Sequence, residues 1–193
     1  MRMKGFTLIE LAVVLAIIAV LAAVLTPLVT GYMDQARNAR AQADVRTIAD
    51  SVKLHQRDTG RYPIYNSSTD YTAGAIAGGS LLIGSPGSSP SNLASWGATT
   101  VATSTLENYI NGNFSAVNTT NTFPKTAFRG PYVASIESDP WGNKYLLTAA
   151  TLGNGNHAYV ISAGSNGTLD TTYAQAATGA MSVSTDDIVS VIK

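Results

Sequence analysis

Between Phe6 and Gly31 the chain is almost uniformly apolar, and Glu10 is the only charge in the stretch. A run of this length meets the roughly 20 residues that an α-helix needs to cross a bilayer. At Tyr32 the pattern changes. From there YMDQARNARAQADVRTIADSVKLHQRDTG is amphipathic, with Val45, Ile48, Ala49 and Val52 at helical spacing, and it stops near Gly60. Pro27 and Gly31 fall near the end of the apolar run, where a proline removes a helix hydrogen bond and kinks or loosens the helix. The spacing predicts that the helix resumes beyond them. A helix from Phe6 to about Thr59 would be on the order of 80 Å long at 1.5 Å per residue. Its first half would be an anchor and its second half a spine for a globular head.

Between Tyr62 and Pro124 the only charges are Asp70 and Glu107, and Gly, Ser, Thr and Asn dominate. GGSLLIGSPGSSPSNL reads as loop with short apolar patches. Within this stretch SLLIG is a short strand or helical turn, and STLENYI a short helix capped by Ser104 or Thr105. After Phe128 the alternation sharpens. RGPYVASIESDPWGNKYLLTA offers an opening turn, a turn at Asp139-Pro140 and the strand KYLLT; HAYVISAG is a second strand, and the intervening GNGN predicts a hairpin. VSTDDIVSVIK closes as a loop followed by a brief strand or helical end. A small antiparallel sheet packed on the spine is expected to bury one face of each strand. The predicted class is α+β: a long N-terminal helix, transmembrane then amphipathic, packed on a small antiparallel sheet.

Composition narrows the function. The chain has 193 residues with 12 Lys and Arg against 12 Asp and Glu, so no basic footprint for nucleic acid stands out. Cysteine is absent, which excludes disulfide scaffolds, thiolate metal sites and thiol nucleophiles. Charged residues make up only 12%, well below the usual quarter, which fits an exported or densely assembled surface. His55 on the spine and His157 near a strand have no second histidine at ligand spacing. GxSxG, HExxH and phosphate-cradling loops are missing, and GAIAGGS and LGNGN read as plain loops. The head therefore carries no catalytic constellation, and the expectation is a protein that is not an enzyme.

Arg2 and Lys4 precede the apolar run, so the positive-inside tendency keeps the N-terminus cytoplasmic and sends the rest outward. A secretory signal would place its small-residue cleavage site after the run. Here Gly5 lies before it. The carboxylate of Glu10 inside that run is costly in hydrocarbon and marks a partner or a function.

With its flanks, KGFTLIEL resembles the processing segment of type IV pilins and their pseudopilin relatives. The resemblance implies a leader of residues 1–5, cut by a prepilin peptidase between Gly5 and Phe6, and N-methylation of Phe6. It makes Glu10 the family's assembly glutamate and Pro27 its usual proline. A cut at Gly5 creates a cation at Phe6, which would meet Glu10 of an adjacent subunit inside a fibre. At low dielectric such a pair is strong and its absence expensive. GRYP at Gly60–Pro63, RGPY at Arg129–Tyr132 and DPWGNKY at Asp139–Tyr145 occur in the order seen in the major pseudopilin of type II secretion systems. The turn formers in DPWGN also have a plain reading, with Trp141 covering the edge of a small core.

The implied layout is leader 1–5, transmembrane and assembly helix 6–31, spine 32–60, a variable insertion 61–127 and a small sheet with C-terminal loop 128–193. The implied setting is a single pass through the bacterial inner membrane with the head in the periplasm. The implied partners are copies of the chain, prepilin peptidase, the inner-membrane assembly platform and minor pseudopilins. The resemblance also implies calcium, since secretion pseudopilins bind one ion in a loop after the second strand. AGSNG stands where the family has an acidic residue, so Asn166 replaces an aspartate and Asp170 restores the charge. STDDI matches the second ligand segment and contributes Ser184, Asp186 and Asp187; hard cations take several such oxygens at once. Two other readings stay open. The long neutral insertion fits a major pilin of an external fibre used for adhesion, motility or DNA uptake. A membrane-tethered calcium-dependent binding module or enzyme would instead need convergent reactive groups in the head.

Overall fold

A computed structural model describes residues 5–60, 62–63, 82–96, 98, 101, 105–111, 128–148, 157–172, 183–184 and 186–192. Arg2, Lys4, Ser104 and the GNGN turn lie outside the described residues. Two compact units divide the chain, Met1–Arg37 and Asn38–Lys193.

Helix α1, Leu8–Thr59, runs unbroken through Pro27 and Gly31. Pro27 has no N–H to donate; in the same turns the Thr26 hydroxyl donates to Ala22 O at 2.7 Å and the Thr30 hydroxyl to Pro27 O at 3.0 Å. Gly60 ends the helix. At φ 72° it adopts the left-handed conformation, and its N–H donates to Gln56 O at 2.7 Å, the single-bond glycine cap. In the first unit the apolar side chains of α1 are exposed, and one 18-residue window has a mean hydropathy of 3.0.

The second unit folds around the far part of α1. Ala41, Val45, Ile48, Ala49, Val52 and His55 form its buried stripe, which contains the four positions expected from periodicity. Strands β1 (Leu82–Gly84), β2 (Leu146–Thr148), β3 (Tyr159–Ser162) and β4 (Ile188–Val191) form one antiparallel sheet in chain order. SLLIG is thus a strand, and the end of the described chain is a strand as well. A short helix α2, Leu106–Asn111, starts after Thr105, whose carbonyl accepts from the N–H groups of Asn108 and Tyr109.

Register explains the layers. Ile83, Leu147 and Val160 are paired across β1 to β3 and join Val45, Ile48 and Val52 in one core, with Leu106 and Ile110 of α2. The alternate residues Leu82, Leu146, Tyr159 and Ile161 point to the opposite face, as the period of two requires. That face is also buried, by Trp96, Ala98 and Leu169. The expectation of one buried face per strand is therefore corrected: β1, β2 and β3 are buried at every residue. The cause is the Ser- and Gly-rich stretch, whose 3-10 turn, Leu93–Trp96, and Ala98 cover that face together with Leu169.

Two side chains from α2 fix the segment Tyr132–Ile136, which begins at the last residue of RGPY. Asn111 accepts from the N–H groups of Tyr132 and Val133 at 2.9 and 3.1 Å and donates to Val133 O at 2.6 Å; Glu107 accepts from Ile136 N at 3.4 Å. Tyr132 and Phe128 then pack edge-on against the buried ring of His55.

Candidate functional site

The N-terminal segment presents its residues openly. Gly5 and Phe6 precede α1, and the Phe6 side chain is 91% exposed. Thr7 caps the helix. Its hydroxyl accepts the Glu10 N–H at 3.3 Å, while Glu10 Oε2 accepts from the Thr7 N–H and hydroxyl, each at 2.9 Å. This is a reciprocal capping box: a threonine and a glutamate three residues on satisfy helix-start donors that have no partner within the helix. Within one chain, Glu10 thus has a local partner that the sequence reading missed, although T-x-x-E is its signature. Pro27 lies inside the same apolar helix.

In the second unit the loop residues expected to share an ion are brought together in part. Asp186 Oδ2 accepts from the Asn166 N–H at 2.9 Å and the Ser165 hydroxyl at 3.1 Å. Asn166 Nδ2 donates to Asp170 Oδ2 at 2.8 Å, and Asn166 Oδ1 accepts from Thr168 N at 2.7 Å. Asp187 Oδ2 accepts from Asp170 N at 3.1 Å and Thr171 N at 2.7 Å. Ser184 enters through its backbone: its N–H donates to Thr171 Oγ1 at 3.1 Å and its carbonyl accepts from Asp187 N at 3.1 Å.

The second oxygens of both aspartates differ from the first. Asp186 Oδ1 and Asp187 Oδ1 are buried and meet no hydrogen-bond donor among the described residues. Burial pushes the Asp187 carboxyl above its ordinary value, against the lowering effect of its bonds to Thr171. A buried carboxylate oxygen without a donor is expensive, and a hard cation is one group that satisfies it. Among the described residues no three His, Cys, Asp or Glu side chains gather as a metal-holding group. An ion here would therefore draw further oxygens from Asn166, Ser184 or main-chain carbonyls. The donor chemistry, oxygen only, fits calcium.

DPWGN supports this loop from below. Asp139 is buried; its Oδ1 accepts from the Trp141 and Asn143 N–H groups at 3.0 and 2.7 Å, and its Oδ2 accepts from the Ser162 hydroxyl at 2.8 Å. Ser162 in turn accepts from Gly164 N at 3.2 Å. The anchor of the turn is therefore Asp139. Trp141 is half-buried, and the indole in the core belongs to Trp96.

Comparison with known proteins shows what the chain resembles. A model described as the prokaryotic N-terminal methylation motif matches residues 1–26, and one described as type II secretion system protein G matches residues 110–180. The chain is pilin-like and similar to the type II secretion pseudopilins. A type II secretion system core protein G of Escherichia coli is 25% identical over 88% of this chain and 87% of its own length. That of Pseudomonas aeruginosa is 27% identical over 77% of this chain and 75% of its own. The Pectobacterium carotovorum protein of the same name reaches 34% identity, over 32% of this chain and 40% of its own length. No solved structure matches the chain significantly. In this pseudopilin-like chain the protein G match spans the DPWGN turn, β2, β3 and the first half of the acidic loop, and ends before Ser184. The apolar helix is long and apolar enough to cross a membrane, which fits a membrane anchor, and the methylation motif implies peptidase processing and assembly into a filament.

Proposed function

We propose that the chain is a structural subunit of a type II secretion pseudopilus. It is cut after Gly5 by prepilin peptidase, methylated at Phe6 and polymerised through its N-terminal helix to drive protein export. Before assembly the subunit sits in the bacterial inner membrane with its head in the periplasm, served by the assembly platform and joined by minor pseudopilins. The observation that carries this reading is the exposed apolar face of α1. None of its most apolar window is buried within the chain, so lipid stores that surface and helices of neighbouring subunits take it over in the fibre. Within the fibre, Glu10 exchanges its Thr7 donors for the Phe6 amine of an adjacent subunit. The protein G match across the head disfavours a long external fibre. The role is structural rather than catalytic.

Calcium is part of the proposal. Asp186 and Asp187 would hold it, with Asn166, Asp170 and Ser184 nearby, and bound calcium supplies positive charge that fixes the loop as a rigid contact. The buried, undonated Oδ1 atoms support this reading.

Expression in a bacterium lacking its own major pseudopilin tests the function. Mass spectrometry of the isolated protein should find N-methylphenylalanine at Phe6, and export of the host's secreted enzymes should return. Unprocessed protein, or processed protein that restores no export and forms long external fibres, would refute it. For calcium, the full chain in detergent micelles should melt higher with millimolar calcium than with chelator, and Asp186→Ala should remove the difference. An identical melting temperature in the two conditions rejects the ion.

A further inference from the structure

The stretch Ser85–Asn92 lies outside the span matched to protein G and touches two parts of the head at once. Its first half follows the DPWGN turn. Ser85 N donates to Tyr145 O, Ser88 N donates to Gly142 O, and Lys144 N donates to Ser88 O, each at 2.9 Å. Gly87, at φ 125°, presses so closely that a Cβ there would lie 2.9 Å from the Asn143 carbonyl.

Its second half crosses to the acidic loop. Ser91 N donates to Gly167 O at 2.9 Å and Leu169 N donates to Ser91 O at 3.2 Å. The Ser91 and Thr168 hydroxyls share a bond of 2.9 Å, and Asn92 Nδ2 donates to Leu169 O at 2.9 Å. Asn92 holds φ at 64°, in the left-handed region that costs most side chains but that asparagine tolerates. One short segment therefore fixes Gly167, Thr168 and Leu169, the three residues between Asn166 and Asp170.

We propose that Ser85–Asn92 is a strap that positions the cation loop, with Ser91 and Asn92 as its positioning residues. The inference rests on the calcium reading above. Asn166 reaches Asp186 and Asp170 reaches Asp187 through their own N–H groups, so the spacing of the two halves depends on where residues 167–169 are held. Calcium affinity is tuned by the rigidity of a site as well as its charge. A strap formed during folding removes part of the ordering cost that the ion would otherwise meet.

Asn92→Gly is the decisive variant, because glycine keeps the left-handed backbone and drops only the amide that holds Leu169. The full chain in detergent micelles is titrated with calcium chloride by calorimetry, and amide exchange across residues 166–171 is followed in chelator. The expected result is a calcium Kd raised about ten-fold, as for loss of one buried hydrogen bond, with faster exchange at Leu169 and Asp170 and unchanged exchange along α1. Ser91→Ala should move both readouts in the same direction. An unchanged Kd overturns the proposal, including the case where Asn92→Gly lowers the melting temperature equally with and without calcium. If the unaltered chain binds no calcium, the cation reading fails and positioning for an ion fails with it. Exchange in chelator separates the two failures: faster exchange in Asn92→Gly shows the strap intact and the ion wrong, and unchanged exchange shows that the strap holds nothing.

Discussion

Glu10 and Thr7 close on each other at the start of α1. The carboxylate takes both the N–H and the hydroxyl proton of Thr7 at 2.9 Å, while the Thr7 oxygen takes the Glu10 N–H at 3.3 Å. The pairing is confined to one chain and lies one residue from the amine that a cut after Gly5 would free. In the proposed membrane-stored subunit it would keep the carboxylate from standing bare. In a fibre the same oxygens would be available to a cation from next door.

Two substitutions separate these roles. Glu10→Gln keeps an acceptor for Thr7 but removes the charge, so processing should continue while subunit cross-linking in the fibre is lost. Thr7→Val removes the hydroxyl and leaves the charge. It should speed amide exchange at Glu10 and Leu11 several-fold, as loss of an N-cap does, and leave cross-linking near the wild-type level. If Glu10→Gln assembles normally, the intersubunit ion pair is wrong.

The two tryptophans should differ sharply in what they contribute. Trp96 is 1% exposed and covers the sheet face opposite α1, whereas Trp141 is half-buried on its turn. Trp96→Ala is expected to cost about 3–5 kcal/mol, the range for truncating a buried aromatic. Trp141→Ala should cost distinctly less. Urea unfolding of each variant checks this, and equal losses would mean that the Ser- and Gly-rich stretch is not a true second layer.

Tyr145 makes the head sensitive to alkali. Its hydroxyl donates to Asp44 Oδ2 at 2.8 Å, and burial first, then Asp44, holds the phenol well above its ordinary value. The native state therefore keeps a proton that the unfolded chain releases near pH 10. Stability from this group is complete below about pH 10 and is lost as the pH rises above it. Tyr145→Phe should be about 1 kcal/mol less stable at pH 7, for one lost hydrogen bond. Its stability should then fall less steeply than that of the parent between about pH 10 and 11. Denaturant titrations across that range make the comparison, and parallel curves would contradict it. Tyr62 and Tyr159, also raised by burial, remain in both proteins and set the common background.

Long periodic elements were legible from residues alone. Val45, Ile48, Ala49 and Val52 repeat on one face over several turns, and KYLLT and HAYVISAG have the apolar density of buried strands; all are where pattern placed them. The covering layer was not. Trp96 and Ala98 sit singly among Gly, Ser and Thr, with no period to mark them. Their partners are remote: Ser85 bonds Tyr145, and Ser91 bonds Gly167. The acidic loop was legible only through its family resemblance, since Asn166 and Asp186 meet across twenty residues by a backbone N–H. Thr7 was legible in principle. Inside an apolar run, however, a carboxylate reads first as a charge in lipid and only second as the end of a capping box.

Gly164 offers the most direct test of the loop's geometry. It adopts φ 61°, the left-handed region, and an added Cβ would collide with the carbonyl oxygen of Asp186. Both obstacles oppose any side chain here. The first is conformational, costing about 1 kcal/mol; the second is steric and cannot be relieved by rotating a side chain, because the obstacle is backbone. Relief requires the Asp186 segment to move away, which would break the bonds from Ser165 and Asn166 to Asp186 and shift Asp187 with it. Gly164→Ala should therefore lose calcium-dependent stabilisation altogether, while the core of α1 and the sheet, which does not contain this residue, still unfolds cooperatively. Melting curves with calcium and with chelator supply the measurement. A Gly164→Ala chain that keeps the full calcium shift would show that the loop carries its ion, if any, in another arrangement than the one described.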